Sequence, residues 1–117
     1  MSALQLLANA GAVITTVMGL LGLFRPLSAA AFVGVEPQGL MGTSELRATY
    51  GGVFVGLGGF CLLSQSPMAF ACAGAAWLGA AMARLLSVAI DRNFAGKNFA
   101  AIAYEAAIGG LLVAGAL

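Results

Sequence analysis

The sequence predicts an all-α integral membrane protein: a single-domain four-helix antiparallel bundle with a short interfacial segment between helices 1 and 2. Three observations lead there. Charged residues make up 8% of the 117 positions and hydrophobic ones 62%, whereas an ordinary globular domain is about 25% charged. Mean hydropathy is +1.02. The few charges divide the chain into four uncharged stretches, each close to the ~20 residues that a membrane helix needs. Five basic and four acidic side chains cannot cover the surface of so small a soluble monomer. That excludes a cytosolic enzyme, a nucleic-acid binder and a disordered segment, and a net charge of +1 gives no field to draw in nucleic acid.

The first span runs from Leu4 to Phe24 and is closed by Arg25-Pro26, since proline and a snorkelling arginine both favour a stop. It reads as a membrane helix rather than a cleaved leader. The basic n-region is missing and the apolar stretch is too long, although Ser28 to Ala31 has the small residues of a cleavage site. Residues 26–42 form the connector, with Gly34, Pro37, Gly39 and Gly42. Its apolar side chains, Leu27, Phe32, Val33 and Val35, place it at the interface. Thr43-Ser44-Glu45 reads as a helix start, a hydroxyl cap with an acid in the first turn, so the second span is 45–63. Ser64-Gln65-Ser66-Pro67 is a short turn whose proline opens the third span, 68–90. Asp91 to Asn98 is a polar turn, and the fourth span is 99–117.

Alanine and glycine together supply about a third of the chain. Helices in lipid gain little from hydrophobic association, so close backbone approach must hold them. Ala48, Gly52 and Gly56 form a small-residue ladder at four-residue spacing on the second span. Gly19, Gly22, Gly74 and Gly109 offer facing grooves, so internal packing is the expected use of the ladder.

Two hairpins bring all nine charges to one side. Arg25, Glu36, Glu45, Arg47, Arg84, Asp91, Arg92, Lys97 and Glu105 all fall in the half where spans one and three end. An excess of arginine and lysine marks the cytoplasmic face, so both termini are expected outside. Two of the charges lie within spans: Arg84 is seven residues before Asp91, and Glu105 eight after Lys97. Across the turn they reach the same depth, roughly 10 Å inside the helix ends at a rise of 1.5 Å per residue. An unpaired charge there costs a few kcal/mol, and opposite charges at one depth are the remedy. Glu45, Arg47, Arg84 and Glu105 sum to zero; Tyr50 lies a turn deeper on the second span, and Ser87 and Tyr104 are placed to complete the hydrogen bonding.

Glu45-Leu46-Arg47-Ala48-Thr49-Tyr50-Gly51-Gly52, followed by Gly56-Leu57-Gly58, resembles the signature of a family catalogued as domain of unknown function 4345. Ala83-Arg84-Leu85-Leu86-Ser87 with Asp91, and the late acid Glu105, are similar to its pattern too. The resemblance covers most of the chain and implies a four-helix bundle of the bacterial inner membrane. It supplies no activity. Where the family's usual pattern has glycine after the aspartate, this chain has Arg92, which would loosen that turn.

Three kinds of function are compatible with these features. The favoured one is a charge-paired polar pocket in the cytoplasmic leaflet, built from Glu45, Arg47, Tyr50, Arg84, Ser87, Asp91 and Glu105. It would take a lipid, a quinone or a small anion: arginine holds carboxylates, phosphates and carbonyl oxygens, and Glu105 can exchange a proton. The alternative is an accessory or assembly subunit of a larger membrane complex or homo-oligomer, its ion pairs purely structural. An enzyme is the least favoured. There is no histidine, no nucleophile elbow, no phosphate loop and no metal cluster, so neither a cofactor nor a catalytic residue is expected. Cys61 and Cys72 lie in apolar runs without metal-like spacing and are expected to be buried thiols. Trp77, Phe54 and Phe60 read as packing or lipid-facing residues.

Overall fold

The computed structural model describes all 117 residues and is helical throughout, without a strand. Helix α1 is Ala3–Phe24, α2 Pro26–Val33, α3 Gly39–Leu46, α4 Val53–Ser64, α5 Pro67–Ile90 and α6 Gly96–Val113. A π-helical segment, Arg47–Gly52, joins α3 to α4, and a 3-10 turn, Ala114–Ala116, follows α6. Four helical stretches are long and apolar enough to cross a membrane: Ala3–Phe24, Gly39–Ser64, Pro67–Ile90 and Gly96–Ala116. The protein is an all-helical membrane protein of four spans. Its residues group into two compact units, Met1–Gly11 with Gln65–Leu117, and Ala12–Ser64.

In the unit of residues 12–64, α1 stops at Phe24 because Arg25 leaves helical geometry (φ −132°, ψ 64°) and Pro26 opens α2. Gly34 closes α2 in the left-handed region at φ 79°. The Gly34 N–H donates to Ala31 O and that of Val35 to Ala30 O, which is the paired bonding of a Schellman cap. The next span starts earlier than its hydroxyl residues suggested. Gln38 is the extended residue before Gly39, and Thr43 lies inside the helix, its hydroxyl donating to Gly39 O four residues back. Thr43-Ser44-Glu45 is therefore the second turn of a 26-residue helix and not its beginning.

The π segment resets the faces of this helix. Its buried positions are Leu46, Gly51, Gly58 and Cys61, five, seven and three residues apart. The five-residue step is the widened π turn; the others are α spacing. A ladder counted in fours from Ala48 consequently points outward. Ala48, Gly52 and Gly56 are exposed, and a Cβ on Gly56 would meet nothing. The close approach to α1 is made instead by Gly51 and Gly58. A Cβ on Gly51 would lie 2.7 Å from Leu23 N, and one on Gly58 2.7 Å from Ala12 O.

In the other unit, Ser2 and Gln5 start α1 with reciprocal bonds: Ser2 N donates to Gln5 Oε1 at 2.8 Å and Gln5 N to Ser2 Oγ at 3.2 Å. This is a capping box. Ser66 caps α5, accepting from Ala69 N, with Pro67 in the first turn. Gln65 has φ 52° and exchanges two amide hydrogen bonds with Asn9, at 2.7 and 3.1 Å. Helices α5 and α6 form an antiparallel hairpin around Phe70, Ala73, Trp77, Ala81, Ala101, Ile108 and Leu112. The helices touch closely at two glycines. A Cβ on Gly74 would lie 3.0 Å from Gly109 O, and one on Gly109 2.8 Å from the Leu78 side chain.

Cys61 is buried, but Cys72 is exposed. The inward stripe of α5 runs through residues 70, 73, 74 and 77, which leaves position 72 on the outer face. Arg92, in the turn between α5 and α6, adopts φ 54°, so the chain keeps at this position a conformation that glycine takes most readily.

Candidate functional site

The polar centre of the α5–α6 hairpin comes from two apolar stripes that each carry ionisable or amide side chains. On α6 the buried positions are Asn98, Ala101, Glu105, Ile108, Gly109 and Leu112, the three-and-four spacing of one helix face. On α5 the stripe of Phe70, Ala73, Gly74, Trp77 and Ala81 reaches Arg84 after one further turn. The antiparallel hairpin sets Arg84 against Glu105. Arg84 Nε donates to Glu105 Oε1 at 2.5 Å, with the Glu105 residue 6% exposed and the Arg84 side chain 29% exposed. A charge-assisted bond of this kind is about twice as strong as a neutral one.

Arg84 makes a second bond, from Nη1 to Asn98 Oδ1 at 3.2 Å. Asn98 is 7% exposed. Its oxygen accepts the guanidinium N–H, and its amide nitrogen Nδ2 is buried without an acceptor. Asn98 was not among the residues that the sequence singled out; it looked like part of a polar turn. The signal was its spacing, seven residues before Glu105 and so on the same face two turns away.

Ser87 does not join this pair. Its hydroxyl donates to Asp91 Oδ2 at 2.7 Å, where Asp91 ends α5. Tyr104 is half-buried on α6.

Glu45, Arg47 and Tyr50 belong to the other unit. The Arg47 guanidinium donates through Nη1 to Leu23 O, one of the last carbonyls of α1. A cation there satisfies an acceptor at the negative end of the helix dipole, so Arg47 serves as a cap. The Glu45 carbonyl accepts from the Thr49 hydroxyl at 2.7 Å. Tyr50, in the π segment, meets Phe54 edge-on with ring centroids 6.1 Å apart. Glu45 and Tyr50 also line an open cavity of about 480 Å³ between the 35–38 loop and α3, together with Glu36, Gln38, Met41 and Thr49. This volume lies within the range of small-molecule pockets. Gly42 lets the loop fold back, since a Cβ there would lie 3.0 Å from Pro37.

No group of three or more His, Cys, Asp or Glu side chains is placed to hold a metal ion. The chemistry available at Arg84 is hydrogen-bond donation to an oxygen acceptor. Glu105 fixes the guanidinium and offsets its charge.

No curated protein and no solved structure was found to match this chain. One family model matches residues 3–116, nearly the whole chain, and its description is "Domain of unknown function (DUF4345)". This four-span membrane protein, with its Arg84–Glu105 pair, belongs to the DUF4345 family.

Proposed function

We propose that this protein sits in the bacterial inner membrane with both termini outside, and that it binds a small molecule or lipid headgroup at Arg84 in the cytoplasmic leaflet. The observation that carries this reading is the asymmetry of the ion pair: the carboxylate is buried, while 29% of the arginine side chain is exposed. Arginine has five N–H donors, of which Glu105 and Asn98 take one each. The rest of the fork is held in a fixed orientation within an apolar span, where a donor seeks an acceptor. The orientation rests on the distribution of arginine and lysine.

Native mass spectrometry of protein gently extracted from its own membrane tests this. A lipid or small molecule should travel with the wild type and be depleted at least tenfold from the double variant Arg84→Gln with Glu105→Gln, which leaves no buried charge without its partner. Equal retention by both proteins would refute the reading.

A second reading, an accessory subunit of a membrane complex, is favoured by a different observation. The ridge Ala48, Gly52 and Gly56 is exposed, flanked by Val53 and Phe60, and small residues at this spacing suit close helix contact. Under this reading, Gly52→Leu with Gly56→Leu should abolish co-purification of a partner chain without unfolding the protein.

A further inference from the structure

We infer that Arg84 and Asn98 together form a subsite for one uncharged carbonyl oxygen, so that the ligand is a carbonyl-bearing amphiphile and not a phosphate or carboxylate. The inference rests on the proposed binding role of Arg84 and specifies its ligand. Two independent features of the hairpin point the same way.

The first is the Asn98 amide. Its orientation is settled by its neighbour: rotating the amide by half a turn would press Nδ2 against the guanidinium, donor against donor. With Oδ1 held by Arg84, the buried Nδ2 is left as a donor without an acceptor. Few buried polar groups are left in this state, because an unmade bond to a buried donor is destabilising. Arg84 is the partly open member of the group, and an oxygen entering along it comes to both donors.

The second is charge. Glu105 already neutralises Arg84 at 2.5 Å. An anion added to this pair would bring a net negative charge into an apolar span, where charge is expensive. A carbonyl oxygen adds an acceptor and no charge.

The carbonyl can belong to a lipid ester or to a free molecule such as a quinone, and the test separates them. Purified protein in non-ionic detergent is offered four probes at equal concentration: a benzoquinone with a ten-carbon tail, an ester-linked phosphatidylglycerol, its ether-linked analogue, and decyl phosphate. Bound fractions are read by native mass spectrometry for wild type and Asn98→Asp. That substitution keeps an acceptor for Arg84 and removes the orphan donor but adds a carboxylate beside Glu105, so the uncharged Asn98→Leu is measured with it, and both variants must lose the carbonyl probes while keeping their helix content.

The expected result is retention of the quinone or the ester lipid by the wild type, little ether lipid or decyl phosphate, and at least about tenfold weaker retention by both variants, the loss of one good hydrogen bond. Preference between quinone and ester lipid identifies the source. Carbonyl probes held equally by wild type and either variant would overturn the inference. Arg84-dependent retention of decyl phosphate alone would overturn it too, while leaving the wider binding role in place. Retention of none of the four would overturn both.

Discussion

Glu105 lies on a stripe otherwise made of Ala101, Ile108 and Leu112, and what makes it tolerable there is one guanidinium. The two halves of the pair are not equivalent. Arg84→Ala strands a buried carboxylate and should cost about 3–5 kcal/mol. Glu105→Ala leaves an arginine that is already partly exposed and can snorkel, so its cost should be smaller by 1 kcal/mol or more, a difference on the order of one pairing energy. Unfolding in mixed detergent micelles, followed by helix content, measures both. Arg92 tests another residue-scale argument. It holds φ 54°, a region that costs an L-residue about 1–2 kcal/mol. Arg92→Gly should therefore stabilise the protein by about 0.5–1 kcal/mol once the extra freedom of the unfolded glycine is subtracted. The pairing of Arg84 with Glu105 was legible by counting residues outward from the turn between them. Asn98 was not, because asparagine beside lysine and glycine has the composition of a loop.

At the scale of the helix, two adjacent glycines have opposite duties. Gly51 faces α1 and Gly52 faces outward, solely because the π segment inserts a five-residue step after Leu46. Gly51→Ala should destabilise by about 1–3 kcal/mol through overpacking. Gly52→Ala should be neutral or stabilising by up to about 1 kcal/mol from helix propensity. A chemical-denaturation series on the two variants checks the register, and the opposite order would contradict the placement of Gly51 against α1. A ladder counted in fours presumes unbroken α geometry, and a π turn differs from an α turn by one hydrogen-bond step with no composition of its own. The start at Gly39 was hidden similarly, since Gly34, Pro37, Gly39 and Gly42 in the connector resemble a break. Pro67 and the Arg25-Pro26 stop were legible, because proline acts through its own ring and lacks an N–H wherever it stands.

For the molecule as a whole, the four spans follow from composition: where charge is absent for some twenty residues, a lipid-embedded helix is the structure that satisfies its backbone. The proposed orientation makes a direct prediction. A cysteine introduced at Ser2 in a background lacking Cys61 and Cys72 should react with an impermeant maleimide in intact cells, and one at Lys97 only after the membrane is opened. The reverse pattern would remove the cytoplasmic site from the account. The central claim, that Arg84 and Glu105 form a binding site and not only a brace, is tested most directly by exchanging them. In the native membrane, Arg84→Glu and Glu105→Arg should each lower abundance, and the double exchange should restore it, while the co-extracted ligand seen with the wild type stays absent. Recovery of the ligand together with abundance would show that the pair serves packing alone.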